Sequence, residues 1–222
     1  MRNGLEQKGR HLKNNMRGLY AITDNVLIEN NKFIATIEQA LQGGAAVIQY
    51  RDKNTPFDDK VLQAHELLAL CHQYHVPLII NDDVKLAKQI GADGVHLGKD
   101  DGTIAAAREF LGKHSIIGVS CYNQLNLAQQ AVQSGANYIA FGRFFPSHTK
   151  PHAVLASPDL LIAAHQLFSC PIVAIGGITP ENAEPLIAAG ADCLAVVHGV
   201  FGQAQVNVAA RNYAQLYSSI RI

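Results

Sequence analysis

The sequence predicts an α/β protein built as a single (β/α)8 TIM barrel, parallel and eight-stranded. Three observations carry that prediction. First, a phrase recurs at the ends of successive helical patterns: Gly43-Gly44-Ala45-Ala46-Val47-Ile48, Gly91-Ala92-Asp93-Gly94-Val95-His96, Gly135-Ala136-Asn137-Tyr138-Ile139-Ala140 and Gly190-Ala191-Asp192-Cys193-Leu194-Ala195. In each, a glycine suits the positive φ of a helix end and a small residue leads into an apolar strand. The copies lie about forty-five to fifty-five residues apart, room for two βα units each, and repetition on that scale marks a closed or stacked βα architecture. Second, the apolar runs are continuous instead of alternating in polarity, as expected of strands buried on both faces. Third, helical patterns fill most of the gaps between them.

Strands are predicted, in order, near residues 18–23, 46–51, 77–80, 94–97, 115–119, 137–141, 171–175 and 193–197. The first opens the fold just after Arg17, and the second follows the first glycine phrase. The third, Pro77-Leu78-Ile79-Ile80, follows a helical pattern from Asp58 to Tyr74. The fourth, Gly94-Val95-His96-Leu97-Gly98, belongs to the second glycine phrase, and the fifth runs into Gly118-Val119-Ser120. A helical pattern from Gln124 to Ser134 leads to the sixth through the third glycine phrase. Helical patterns from Pro158 to Leu167 and from Pro180 to Ala189 flank the seventh, and the fourth phrase delivers the eighth. A doubly wound open sheet is the competing arrangement, weakened because no GxGxxG follows the first strand. No internal linker rich in Pro, Gly or Ser divides the chain. Residues 1–16 are polar and basic without an apolar run, so they read as a flexible N-terminal extension and not a secretory signal. Residues 17–222 then form the catalytic barrel.

Composition narrows the function. Hydrophobic residues make up 48% of the 222, ample for a buried core. Formal net charge is zero, which argues against a broad nucleic-acid face or an anionic membrane surface, so positive charge used in function must be focused locally. No apolar run approaches the roughly twenty residues that span a bilayer. The four cysteines, Cys71, Cys121, Cys170 and Cys193, are scattered without CxxC or zinc spacing, and reduced thiols in a cytoplasmic protein are the simplest reading. Cys121 follows a predicted strand and is open to a pocket-lining or a purely structural role.

In a barrel, functional groups sit where strands end and βα loops begin. After strands 3 and 4 stand two acidic clusters, Asn81-Asp82-Asp83 and Lys99-Asp100-Asp101. Parallel neighbours bring both to one edge, where facing carboxylates repel unless a cation, best a hard one such as Mg2+, lies between them. Helix capping by Asp83 and Asp101 is the competing reading. After strand 2 comes Gln49-Tyr50-Arg51-Asp52-Lys53. Alternation puts Gln49, Arg51 and Lys53 on one side, an amide and two cations suited to a pyrophosphate; a solvated loop with salt bridges to Asp52 or Asp58 is the plainer alternative. Strand 5 delivers the hydroxyl of Ser120. The longest loop follows strand 6 and holds Arg143, Ser147, His148, Thr149 and Lys150, with Lys150 placed to close over a substrate. Gly176-Gly177 after strand 7 and Val197-His198 after strand 8 occupy the usual phosphate-binding position of such barrels. His198 is either a phosphate partner or a polar residue of the rim. Two phosphorylated substrates and a pyrophosphate leaving group fit this inventory, and no Ser-His-Asp or Cys-His arrangement points to hydrolysis.

These motifs resemble those of the thiamine phosphate synthase family over roughly residues 18–202. The resemblance rests on Q-x-R-x-K at Gln49, Arg51 and Lys53, NDD at 81–83, and H-x-G-x-x-D at His96, Gly98 and Asp101. It continues through Gly118-Val119-Ser120, S-x-T-K at Ser147, Thr149 and Lys150, and Ile175-Gly176-Gly177-Ile178. It implies a magnesium-dependent transferase that joins hydroxymethylpyrimidine diphosphate to a thiazole phosphate, carboxylated or not, by dissociative displacement of pyrophosphate. By resemblance, Asp82 and Asp101 hold Mg2+. Gln49, Arg51, Lys53, Asn81, Ser120 and Lys150 bind the pyrimidine diphosphate, and Ser147, Thr149, Gly177, Val197 and His198 the thiazole phosphate. The catalytic set is Arg51, Lys53, Ser120 and Lys150, with Tyr50, Asp52 and His148 completing the substrate-binding runs. The partners implied are these two small molecules, not nucleic acid or membrane, with a homo-oligomer left open. The chain departs from the family pattern at Lys99-Asp100, Arg143-Phe144, Ser147 and His198. The rival readings are a thiazole tautomerase-like barrel and a non-catalytic barrel that binds thiamine precursors.

Overall fold

The computed structural model describes residues 16–146 and 155–219. Its eight strands are β1 (Gly18–Ile22), β2 (Ala45–Tyr50), β3 (Leu78–Asn81), β4 (Gly94–Leu97), β5 (Ile116–Tyr122), β6 (Tyr138–Gly142), β7 (Ile172–Ile175) and β8 (Cys193–Val196). They pair in parallel in sequence order, and β1 closes on β8. The helices between them are α1 (Phe33–Gln42), α2 (Phe57–Gln73), α3 (Val84–Ile90), α4 (Ile104–Leu111), α5 (Leu125–Gln133), α6 (Pro158–Leu167) and α7 (Glu184–Ala188). After β8 come a short α8 (His198–Phe201) and a long α9 (Val206–Ser219). The strands match their predicted positions closely. One helix does not: the pattern predicted over Pro180 to Ala189 is helical only from Glu184, because Asn182 takes Thr179 N–H onto its side chain at 2.8 Å and holds a turn there.

Apolar strands bury both faces, and the structure resolves two cores. Outside the sheet, Leu19, Ile48, Leu78, Ile80, Val95, Ile117, Ile139 and Leu194 pack beneath the helices. Inside the barrel, Tyr20, Ile22, Val47, Ile79, Tyr138, Ala140, Val173, Cys193 and Ala195 fill the lumen. Met16, assigned by sequence to the extension, belongs to this inner core: it is fully buried, and Cys193 Sγ donates to its carbonyl.

The repeated glycine phrase has a use that its local role in ending helices does not reveal. Gly91 and Gly190 take the left-handed conformation, with φ of 70° and 105°. Two residues on, a side-chain oxygen turns back to the start of the preceding strand. Asp93 accepts from Leu78 N at 2.8 Å, Asn137 from Ile117 N at 2.8 Å, and Asp192 from Ile172 N at 2.9 Å. Each clasp satisfies a backbone donor in the first two residues of a strand. The first copy has Ala46 at this position and no acceptor to offer. Asp192→Ala is expected to cost about 2 kcal/mol, the penalty of a buried donor left unsatisfied. In a chain of this size that lowers Tm by about 4–8 °C in a calorimetric melt, with activity at 25 °C retained.

Candidate active site at the strand C-termini

The chemistry predicted from separate segments converges at the carboxyl ends of β1 to β5, because all strands point the same way. Asn81 ends β3, and Asp82 follows with φ of 62°, a conformation that Asp and Asn tolerate better than other side chains. Its backbone N–H donates to His96 O of β4 at 2.9 Å, which ties the two strand ends together. The side chain of Asp82 adjoins that of Asp101. Burial and the adjoining Asp101 carboxylate raise the Asp82 carboxyl above its ordinary value, against the opposing pull of Lys53. Asp101 is itself held by Gly98 N–H, which donates to its Oδ2 at 2.7 Å.

The two clusters separate cleanly. Asp83 caps α3 by accepting from Leu86 N at 2.9 Å, whereas α4 is capped by Thr103 and not by Asp101. Asp82 and Asp101 are therefore left facing each other without a capping duty. Among the described residues no group of three or more His, Cys, Asp or Glu side chains is arranged to hold a metal. Two carboxylates suit a hard divalent cation that draws its remaining oxygens from water and phosphate.

The end of β2 supplies the cations. Lys53 Nζ lies 3.4 Å from Asp82 Oδ2, and Arg51 Nη1 lies 3.9 Å from Asp24 Oδ2. Thr23, fully buried, braces this segment: its Oγ1 accepts from Arg51 N at 2.9 Å. Gln49 points into the lumen, where its Nε2 donates to the Tyr20 hydroxyl at 2.8 Å. Two residues predicted to bind substrate stand elsewhere. Tyr50 faces outward, since alternation along β2 sends it opposite to Gln49; it packs edge-on against Phe33 and donates to Gln63 Oε1 at 2.9 Å. Asp52 organises the loop, accepting from Asn54 N at 2.8 Å, Thr55 N at 3.0 Å and Asn25 Nδ2 at 3.0 Å. Burial works against its charge, but hydrogen bonds from the side chain and backbone of Thr55 and the backbone of Asn54, with the charge of Lys60, prevail and hold its carboxyl below the ordinary value.

On the opposite side of the mouth, Gly177 follows β7 with φ of 63°. A Cβ there would stand 2.3 Å from the carbonyl oxygen of Pro146, so the backbone after β7 lies directly against the strand-6 loop. Asn182 Nδ2 donates to Gly177 O at 3.0 Å, and Tyr213 OH donates to Ile178 O at 2.9 Å, fixing the turn from both sides. Val197 precedes α8, and His198 begins it at the exposed rim. Ser147, His148, Thr149 and Lys150 lie outside the described residues.

Several contributors escape sequence reading. Thr23 and Asn182 act through backbone contacts, and Asp24 through its ion pair with Arg51, none of which a motif announces. Tyr20 and Tyr138 look like ordinary strand aromatics. Their signal lies only in sharing the inward register of their strands with Gln49, His96 and Ser120.

Polar groups gathered at the carboxyl ends of a closed parallel barrel define a (β/α)8-barrel enzyme. Known proteins narrow the class. Residues 19–200 match the family described as thiamine monophosphate synthase. The chain is 55% identical over 194 residues to a thiamine-phosphate synthase of Marinobacter nauticus, covering 87% of each chain. It is 50% identical over 208 residues to that of Nitrosococcus oceani, covering 94% of this chain and 96% of the relative. Its structure superposes on a thiamine phosphate pyrophosphorylase from Pyrococcus furiosus with a TM-score of 0.85 at 32% identity, covering 93% of this chain and 98% of the other. The chain belongs to the thiamine monophosphate synthase family and is a transferase. Among the described residues no helix is long and apolar enough to cross a membrane.

Proposed function

We propose that the chain joins hydroxymethylpyrimidine diphosphate to a thiazole phosphate, releasing pyrophosphate and forming thiamine phosphate. The observation that carries this reading is the Asp82–Asp101 pair with Lys53 beside it, and Arg51 on the same strand end, 3.9 Å from Asp24. Mg2+ held between the two carboxylates would supply positive charge to the diphosphate. Arg51, Lys53, Asn81, Ser120 and, from the strand-6 loop, Lys150 bind that diphosphate, with Gln49 beneath the pyrimidine. The bond from the pyrimidine methylene carbon to the diphosphate oxygen breaks, its electron pair leaves with pyrophosphate, and the cations balance the growing charge. The thiazole nitrogen then donates its lone pair to the methylene carbon. Gly177, Val197, His198, Ser147 and Thr149 hold the thiazole phosphate across the mouth. No protein nucleophile is required, and holding the two substrates together supplies much of the acceleration. The four cysteines form no disulfide, which supports a cytoplasmic setting.

Pyrophosphate release, followed with both substrates and a series of Mg2+ concentrations, is expected to need all three components. No pyrophosphate at any metal concentration would overturn the proposal.

A further inference from the structure

Across the lumen of the barrel runs an uninterrupted chain of hydrogen-bonded side chains that joins five strands. Gln49 Nε2 on β2 donates to Tyr20 OH on β1 at 2.8 Å. The Tyr20 and Tyr138 hydroxyls lie 2.7 Å apart, Tyr138 OH lies 2.9 Å from His96 Nδ1, and His96 Nε2 lies 2.9 Å from Ser120 Oγ. Gln49, Tyr20 and Tyr138 are all buried. The rings of His96 and Tyr138 stack with centroids 5.6 Å apart. Gly118 makes the room: a Cβ on it would fall 1.8 Å from Tyr138 Cζ.

Counting protons gives this chain a direction. Among the described residues the Tyr20 hydroxyl has two partners, Gln49 Nε2 and the Tyr138 hydroxyl, and since an amide N–H can only donate, the Tyr20 proton is left to go to Tyr138. Tyr138, accepting from Tyr20, gives its proton to His96 Nδ1. A ring nitrogen that accepts carries no hydrogen, so the imidazole proton sits on Nε2 and goes to Ser120 Oγ. Ser120 then accepts from below, and its own hydrogen is directed toward the rim. Burial pushes both phenols far above their ordinary value, so each keeps its one proton at neutral pH.

We infer that Tyr20, Tyr138 and His96 are positioning residues: the Gln49 amide sets the direction of the chain, and that direction commits the Ser120 hydroxyl to donate to the substrate anion. A chain running the other way would make Ser120 donate to His96 and present only lone pairs to the diphosphate, which repel it. Satisfying buried polar atoms would be equally served by either direction. The identity of the anion rests on the function proposed above; the direction of the chain does not.

Nitrogen-15 NMR of the intact protein labelled at histidine tests the direction, with the His96 signals assigned by their loss in His96→Gln. In the unaltered protein His96 is expected to carry a proton on Nε2 and to accept at Nδ1. Gln49→Glu replaces the amide donor with a carboxylate acceptor, and the His96 proton is expected to move to Nδ1. Tyr138→Phe keeps the ring, removes the donor at Nδ1, and is expected to leave a mixture of the two forms. A proton on Nδ1 in the unaltered protein overturns the inference, as does an unchanged Nε2 form in both variants. Kinetics test the consequence separately. Tyr138→Phe is expected to lower kcat about 10- to 100-fold, the size typical of losing a partner that orients a binding group, with KM for the diphosphate substrate little changed. In a Ser120→Ala background the same substitution is expected to have almost no further effect. Full additivity of the two would mean that Tyr138 does not act through Ser120. Failure of the synthase reading would appear instead as absent pyrophosphate with the tautomer as described.

Discussion

Asp82→Asn is expected to reduce pyrophosphate release by about 10²- to 10³-fold, the range that follows loss of one preorganised electrostatic partner. The substitution is chosen to isolate charge. Asn accepts the left-handed backbone that Asp82 occupies, with φ of 62°, so the turn after β3 stays in place. What disappears is one of the two carboxylates that face each other. Burial and the facing Asp101 both raise the Asp82 carboxyl above its ordinary value. Removing it is therefore expected to leave the metal-free protein at least as stable as before. Added Mg2+ is expected to raise Tm in the parent chain, by linkage to the folded state, and to leave the Asp82→Asn variant unmoved. Steady-state pyrophosphate assays and thermal melts with and without Mg2+ check both expectations. Near-parental activity in this variant would remove Asp82 from the metal site.

Gly118→Ala is expected to be the most damaging small change in the lumen. Its new methyl would meet the Tyr138 ring at 1.8, 2.2 and 2.4 Å. The ring has nowhere to go, because Tyr20 lies against it at a centroid distance of 6.0 Å and His96 stacks on it at 5.6 Å. Overpacking of this kind costs about 3 kcal/mol. For a chain of this length that lowers Tm by about 6–12 °C. Turnover should fall further than stability alone requires, since a displaced Tyr138 hydroxyl breaks the link to His96 and Ser120. Tyr138→Val in the same chain removes the obstructing ring. The double variant is expected to melt above Gly118→Ala, and a lower melt would show that the damage lies elsewhere.

Most of the fold is legible in the chain because its signals are local. A glycine that ends a helix and a strand apolar on both faces are properties of five to ten consecutive residues, and these located β4 and α6 to the residue. The pattern over Pro180 to Ala189 misled because Asn182 diverts a backbone donor into a turn, a hydrogen bond that periodicity does not register. Tyr50 and Asp52 sit in the run with Gln49, Arg51 and Lys53, so the sequence pattern groups them with the substrate contacts. Alternation turned Tyr50 outward onto Phe33, and the backbone donors of Asn54 and Thr55 claimed Asp52.

The sequence by itself determined which end of the barrel carries chemistry, because parallel strands place all their carboxyl ends on one face. It also determined that carboxylates and cations gather there. Only the tertiary structure decided which members of those clusters meet. Asp82 faces Asp101 while Asp83 caps a helix, and the Tyr20 and Tyr138 hydroxyls touch although 118 residues separate them. Such contacts depend on barrel closure and on the register of every strand between the partners, which no short stretch of chain encodes.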